Sequence, residues 1–281
     1  MNNAKLYRNK KGLQLSDSKY VIENFLEYIE WKSRKNVILD IGSGDGQTLC
    51  EILLPRISEK VERVFAIDIS SEMVEFSRRE YGDRNIVFEK MDIAATEIPV
   101  EFHGKFDHIF SFFCLHWVLN QRRAFENIYD MLRPDGYVLF TFLAKNPIFD
   151  IYEEMAKMEK WRSYMKDYEK YISPYHFSSE PTEELNDLLI KLGFHVKICE
   201  MTKRSYTFPN LKTLHECVKA VNPFLKNIPK CKHDEYFEDY SSTMRRLNAV
   251  KIERRTNNNE DAFECVYHLM IVIAFRADCV K

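Results

Sequence analysis

Short apolar runs alternate with longer amphipathic segments between about residues 36 and 143. The apolar runs are continuous, which is typical of strands covered by helices on both faces. Alternation at this rhythm predicts βαβ units and an α/β fold with a mostly parallel sheet. The runs read VILDI, RVFAIDI, NIVFEKMDI, FDHIFSFF and YVLFTFL, and the helical segments include QTLCEILLPRI, SSEMVEFSRREYG and RRAFENIYDMLRPDG.

The rhythm changes after this core. Two late strands are expected at about 194–202 and 263–276, separated by long inserts rich in helical and aromatic patterns. Late strands with long inserts predict one domain over 1–281 whose sheet carries a helical cap, not an independent second domain. The substrate cap would consist of three segments, at about 1–30, 146–190 and 207–256.

Composition excludes several classes of protein. Lys plus Arg is 41 and Asp plus Glu is 43, so the chain offers no long-range field for a polyanion, and nucleic acid is not an expected partner. The basic stretch RRLNAVKIERRTNNNED is interpreted as a solvated helix end and a loop, with a nucleic-acid contact as the alternative. Seven cysteines form no CxxC pair, which indicates neither a zinc cluster nor a disulfide framework.

The N-terminus MNNAKLYRNKKG has no apolar region, so no secretory signal is expected. The late apolar stretch FECVYHLMIVIAF is too short and too interrupted to be a transmembrane segment. With reduced thiols, these features favour a cytoplasmic protein. No sequence pattern indicates the oligomeric state.

A glycine-rich turn follows the first strand in VILDIGSGDG. A dinucleotide turn needs the spacing GxGxxG, but Gln47 stands where the last glycine would be. Asp40 and Asp45 would flank the phosphate oxygens, and like charges in a partly desolvated site repel. The turn therefore favours a ligand that is neutral or cationic.

The spacing Asp40-x-Gly42-x-Gly44-x-Gly46 resembles the first motif of class I methyltransferases, whose cofactor S-adenosylmethionine carries a sulfonium and an ammonium group. The resemblance implies a Rossmann-like, seven-stranded, mostly parallel sheet. It also implies acids at the ends of the second and third strands, for the ribose hydroxyls and the adenine amino group. The expected cofactor residues are Asp40, Gly42, Ser43, Gly44, Asp68, Ile69, Asp92 and Ile93, with the two isoleucines on either side of the adenine.

Each aspartate taken singly could instead be a cap or turn residue. For Asp68, the capping role is better met by Ser70, which directly precedes a helical run. Three acids at three successive strand ends favour the cofactor interpretation.

The methyl acceptor is expected after the fourth strand, in FSFFCLHWVLNQ. His116 and the indole N–H of Trp117 are the only strong polar groups in an otherwise apolar wall. No asparagine-proline-proline-tyrosine motif and no cluster of metal ligands appears, which disfavours base or amide methylation and a catechol mechanism. A carboxylate acceptor is ionised at pH 7 and needs no general base, only neutral donors that orient it.

Several segments resemble the juvenile hormone acid O-methyltransferases of insects: NNAKLYRNKKGLQ, DIGSGDG, SFFCLHW, PIFDIYEEMAKMEKWRSYMKDYEKYISPY and VKAVNPF. That family methylates the carboxyl group of juvenile hormone acids or of farnesoic acid. The resemblance implies a lipophilic carboxylic acid as substrate, held by Gln14 and Trp117 with His116 beside them.

Alternatives remain open from the residues. His116 could donate to the carboxylate, act as a general base for another acceptor, or support its neighbours. The acceptor could be another small or fatty acid, or the chain could be a non-catalytic paralogue that binds terpenoid. An aromatic and methionine stripe could be ordinary core or, in part, the wall of an isoprenoid tunnel. Its members are Phe149, Tyr152, Met155, Met158, Trp161 and Met165.

Overall fold

A computed structural model describes residues 3–254 and 261–277. Within these ranges the strands are β1 Asn36–Ile41, β2 Val61–Asp68, β3 Ile86–Lys90, β4 Phe106–Phe112, β5 Leu132–Lys145, β6 Phe194–Phe208, β7 Lys251–Glu253 and β8 Ala262–Arg276. They form one sheet in the order β3-β2-β1-β4-β5-β8-β6, and the short β7 pairs with β8. The first five strands are parallel, whereas β8 is antiparallel to β5 and β6. The α/β fold with a seven-stranded, mostly parallel sheet is therefore confirmed, with β7 as an unexpected addition.

The described helices are α1 Ala4–Lys10, α2 Gly12–Phe25, α3 Leu54–Ile57, α4 Ser71–Tyr81, α5 Gln121–Met131, α6 Pro147–Lys157, α7 Glu159–Arg162, α8 Pro181–Lys191, α9 Leu211–Val221 and α10 His233–Arg246. A π-helical segment, Thr48–Leu53, precedes α3. Ser70 caps α4, because its side chain accepts a hydrogen bond from the backbone N–H of Met73, as predicted.

Consecutive residues of the central strands are buried on opposite faces of the sheet. In β1, Ile38 packs in one apolar cluster, whereas Leu39 and Ile41 pack in the other. In β2 the same division separates Val64 from Phe65. Side chains alternate across a strand, so two covered faces require the continuous apolar runs seen in the sequence.

The step from α5 into β5 differs from the prediction. A helix over residues 122–136 was expected, but α5 ends at Met131 and the chain already pairs with β4 at Leu132. The next paired residue is Tyr137, and Asp135 between them has φ 56°. Pro134 cannot donate to a ladder, so this stretch bulges and pairing is interrupted.

Strands β6 and β8 continue past the carboxyl edge of the parallel sheet. The last residue of β5, Lys145, pairs with His268, whereas β6 and β8 remain paired up to Phe208 and Phe263. This two-stranded extension was underestimated, because β6 was expected to end at about residue 202. Helices α6 and α9 contact these strands, and α10 packs on α6.

The basic stretch was expected to be a helix end and a loop, but it also contains a short strand. Helix α10 ends at Arg246, and β7 then adds a short strand to β8. The polar tip at 255–260 lies outside the described residues.

Gly42, directly after β1, has no room for a side chain. Its φ is +70°, and a Cβ would lie 2.3 Å from both Cβ and Sγ of Cys114. We predict that Gly42→Ala lowers the free energy of unfolding by about 2–4 kcal/mol, because strain and overlap add. Gly82 is a matched control with ordinary φ, where a Cβ would meet no atom within 4 Å. Gly82→Ala should shift the urea denaturation midpoint little, and equal shifts for both variants would contradict the prediction.

Candidate functional site

The glycine turn after β1 is held against the neighbouring strand β2 by its own backbone. The N–H groups of Gly42 and Ser43 both donate to the carbonyl of Ile67, at 2.8 and 3.0 Å. Gly44, with φ +56°, turns its N–H towards Asp68 at the end of β2. The turn therefore lies at the carboxyl edge of the sheet, where ligands bind in open α/β folds.

Asp68 is oriented by backbone amides. Its Oδ2 accepts from Gly44 N at 2.9 Å and its Oδ1 accepts from Ser70 N at 2.8 Å. Burial raises its pKa, while these two hydrogen bonds oppose the rise. Each oxygen keeps a second lone pair, so the carboxylate could still accept from two hydroxyl groups of a ligand.

Asp40 is a buried carboxyl group whose charge is poorly compensated. Its side chain forms no hydrogen bond with any residue in the described ranges, and it is 2% exposed. Burial, and then the charge of Asp68, raises the pKa of Asp40 to about 8, opposed only by the cation of Lys11. A cation bound beside Asp40 would stabilise its ionised form.

Asp45 does not share this role, which corrects the charge argument made from the sequence. Its Oδ1 forms a buried ion pair with the Nζ of Lys11, so its charge is neutralised within the protein. The expectation that Asp40 and Asp45 both face the ligand is therefore wrong for Asp45; the second acid beside Asp40 is Asp68. The partners are 34 positions apart, and no local spacing in the sequence signals such a contact.

The remaining predicted cofactor residues differ in exposure. Asp92 is exposed just beyond β3, and its Oδ1 accepts from Ala94 N at 2.9 Å. Ile69 is 63% exposed and offers a free apolar surface beside Asp68. Ile93 is only 4% exposed and packs in the core, so it offers little surface to an adenine ring. The roles of all three remain predictions.

An apolar cavity of about 90 Å³ adjoins the glycine turn. Gln14 from α2 and His116 and Trp117 from the loop after β4 all line it, so the three predicted acceptor residues are brought together. Tyr7, which sequence reasoning did not single out, lines the same cavity and lies against Gly44. Of the aromatic and methionine stripe, only Phe149 lines the cavity; the other members belong to or pack on the core.

The loop after β4 begins with a strained residue. Phe113 has φ 57°, which is uncommon for a bulky side chain, and its N–H donates to the carbonyl of Thr141 at 2.8 Å. Such a conformation costs about 1–3 kcal/mol and is maintained by the surrounding structure. It turns the chain off β4, so that Trp117 lies across the ring of Phe149 with ring centroids 6.3 Å apart.

His116 is a neutral group in this site. It is 2% exposed, and burial lowers its pKa to about 3. Its ring lies 4.7 Å from that of Trp117, and its Nδ1 has no hydrogen-bond partner among the residues described. At neutral pH the imidazole can donate one hydrogen bond but carries no charge.

Metal-binding and membrane-spanning features are both missing from the described ranges. These ranges contain no group of three His, Cys, Asp or Glu residues arranged to hold a metal ion. They also contain no helix that is long and apolar enough to span a bilayer.

Comparison with known proteins shows extensive similarity to two curated enzymes. The model of the methyltransferase domain family matches residues 14–197. A juvenile hormone acid O-methyltransferase of Drosophila melanogaster is 34% identical over 277 residues, which cover 98% of this chain and 92% of the relative. The corresponding Bombyx mori enzyme is 34% identical over 259 residues, with 92% and 91% covered.

Solved structures support the fold alone. Phosphoethanolamine N-methyltransferase 2 of Haemonchus contortus, in complex with S-adenosyl-L-methionine, has a TM-score of 0.53 at 16% identity, covering 93% of this chain and 53% of that chain. The cyclase SpnF has the same TM-score at 14% identity, with 94% and 81% covered. The fold is thus that of class I methyltransferases, and the cyclase illustrates that this fold does not set the reaction.

The pKa of Asp40 generates a prediction for ligand binding. A cationic ligand such as S-adenosylmethionine favours ionised Asp40 and lowers its pKa below the value of about 8 in the free protein. Binding below pH 8 then releases a proton, so affinity should rise with pH by up to about tenfold per unit and level off above 8. Calorimetric titrations at several pH values would measure this.

Asp40→Asn is the control. Any pH dependence that comes from ionisation of the ligand itself is the same for wild type and variant. The variant should bind the ligand more weakly. Its affinity should also lack the part of the rise with pH that is due to ionisation of Asp40. An unchanged pH profile in the variant would show that Asp40 is not the group responsible.

Proposed function

The chain belongs to the juvenile hormone acid O-methyltransferase family and is an S-adenosylmethionine-dependent O-methyltransferase, and from this premise we propose that it converts juvenile hormone acid or farnesoic acid to the methyl ester. The observation that carries the proposal is the shared cavity of Gln14, His116 and Trp117. It joins the glycine turn at Tyr7 and is otherwise largely apolar. The apolar lining with a few polar groups suits a lipophilic acid whose carboxylate must meet a methyl donor.

The residues of the turn fit the cofactor. Asp40 is buried with little compensation of its charge, and Asp68 has both oxygens oriented by amides with lone pairs to spare. We propose that Asp40 faces the cationic portion of S-adenosylmethionine, that Gly42, Ser43 and Gly44 let it approach the backbone, and that Asp68 accepts from the ribose. Ile69 and Asp92 remain the proposed adenine contacts, whereas Ile93, packed in the core, has little surface to offer.

When bound, the cofactor supplies a methyl group attached to a positively charged sulfur. Transfer of the methyl group leaves this sulfur as a neutral thioether. The carboxylate is already ionised at neutral pH, so no protein group has to remove a proton. We propose that the amide of Gln14 and the indole N–H of Trp117 donate to the carboxylate and orient one oxygen towards the methyl carbon. The apolar wall excludes water, and orientation and desolvation supply the rate enhancement.

Neutral donors matter because a tight ion pair would hold the lone pairs that must attack. Lys10 also lines the cavity, but its Nζ forms an ion pair with Glu216 at 2.6 Å. Lys10 is thus already paired, and the groups proposed to contact the carboxylate, Gln14 and Trp117, carry no charge.

A direct assay tests the function. The protein is incubated with labelled S-adenosylmethionine and either juvenile hormone III acid or farnesoic acid, and the methyl ester is identified by chromatography. Turnover only of a fatty or other small acid would contradict the proposed substrate and leave the reaction type standing. Binding of the cofactor without any product would support a non-catalytic paralogue.

The two proposed donors can be tested separately. Gln14→Ala and Trp117→Ala should each lower kcat/KM by about ten- to a thousandfold, equivalent to about 1.4–4 kcal/mol of transition-state stabilisation. Trp117→Phe keeps the apolar wall but removes the N–H, and Gln14→Glu keeps the shape but repels the carboxylate. If Trp117→Phe retains full activity in steady-state assays, the indole N–H is not a donor to the substrate.

His116 is proposed to be a neutral neighbour of the carboxylate and not a base. Because burial keeps its pKa at about 3, the imidazole stays neutral, and kcat at saturating cofactor and acid should be flat between about pH 6 and 8.5. A change of kcat with pH near the ordinary pKa of histidine would contradict this. His116→Gln, which keeps a neutral donor, should retain more activity than His116→Phe.

We also propose a cytoplasmic location. Six cysteines of the described ranges are free thiols, which suits a reducing compartment: Cys50, Cys114, Cys199, Cys217, Cys231 and Cys265. Fractionation of the expressing tissue, followed by activity assay, would test it.

A further inference from the structure

We propose that the hydroxyl group of Tyr240 is a hydrogen-bond donor to an acceptor oxygen at the far end of the substrate chain, and that the enzyme therefore prefers the epoxidised acid. This inference rests on the proposed function and narrows it. Juvenile hormone acid carries an epoxide oxygen near the end opposite its carboxylate, whereas farnesoic acid has a carbon–carbon double bond there.

Tyr240 is a buried polar group without a partner in the wall of the cavity. It lies on α10, lines the cavity and is 3% exposed. Its hydroxyl makes no hydrogen bond with any residue in the described ranges. Neighbouring parts of this wall come from Met244, Val250 and Cys265, which offer no strong acceptor side chain. The hydroxyl oxygen itself is not sealed from solvent, so it can donate to an oxygen of a ligand that fills the cavity.

Helix α9 places Tyr240 towards the end of the cavity that lies opposite Tyr7. At its C-terminal end, Val221 packs with Tyr7, which lies against Gly44 of the glycine turn. His215, on the same helix, has its ring 6.5 Å from that of Tyr240. His215 and Val221 are separated by about 9 Å along the helix axis, at 1.5 Å per residue.

The strands give an independent measure of the same length. Leu143 lines the cavity at the sheet edge and pairs with Leu269 of β8. Cys265, which also lines the cavity, is four positions away from Leu269 along β8, a distance of about 13 Å. Tyr240 and Cys265 lie close enough for the ionised forms of their side chains to repel each other. Both measures place Tyr240 away from the end of the cavity at Tyr7, in the direction in which the chain of the acid would extend.

The chemistry of the donor matches that of the proposed acceptor. Burial raises the pKa of Tyr240 well above its usual value, so the phenol keeps its proton at neutral pH. A phenol can donate to an epoxide oxygen, which can only accept. An alkene at the same place would leave the hydroxyl unpaired, and sites that bind a polar group discriminate against analogues that lack it.

The test compares both acids in one protein. In wild type we expect a higher kcat/KM for juvenile hormone III acid than for farnesoic acid. Tyr240→Phe should lower this ratio about tenfold, the effect of one lost hydrogen bond, mainly through KM of the epoxidised acid. The loss on farnesoic acid should be smaller than the loss on the epoxidised acid, and an unchanged urea denaturation midpoint would show that the variant is folded.

Tyr152 provides the matched control. It lies near Tyr240, but its hydroxyl is fully buried without a partner among the described residues, and it does not line the cavity. Tyr152→Phe should therefore leave the ratio unchanged.

The outcomes separate this inference from the function on which it rests. A wild-type enzyme that esterifies both acids, with a ratio that Tyr240→Phe does not move, contradicts the inference alone. An equal loss on both acids contradicts it as well, because Tyr240 then acts only through the structure. A wild-type protein that esterifies neither acid contradicts the proposed function and this inference together.

Discussion

Three carboxyl groups are buried around one turn, and the protein compensates them unequally. Asp45 has the cation of Lys11, and Asp68 has two backbone amides. Asp40 has neither, and burial raises its pKa to about 8. Burying a carboxylate without a partner is unfavourable, so the free protein holds a group that a cation would stabilise. With Asp40 in its proposed role, this imbalance favours a sulfonium compound over a phosphorylated nucleotide at the turn.

The carboxylate of the substrate meets an environment of a different kind. Its proposed neighbours Gln14, Trp117 and His116 are all uncharged, and the one lysine in the cavity wall is paired with Glu216. Removing water from a carboxylate without pairing it to a cation keeps its lone pairs reactive. In the proposed arrangement the positive charge of the reaction lies on the donor, and the acceptor receives only neutral hydrogen bonds.

Features set by local pattern could be predicted from the sequence, and features set by distant contacts could not. The strands, the cap at Ser70 and the acids at the strand ends follow from periodicity and spacing. The ion pair of Lys11 with Asp45 joins residues far apart in the chain and has no local signal. The same holds for the burial of Ile93, which depends on what packs over it, and for the pairing of Leu132 with Phe106 of β4 directly after α5.

The cavity also shows how a general fold acquires a particular substrate. The methyltransferase family match spans residues 14–197, which includes the glycine turn and the loop with Trp117. Tyr7 lies before that range, and Tyr240, Val250 and Cys265 lie after it, yet all four line the cavity. Tyr7 contacts both the turn and the cavity, so it marks the place where donor and acceptor would meet. In the proposed function, the shared domain binds the methyl donor and orients the substrate carboxylate, while the flanking segments contact the chain of the acid beyond it.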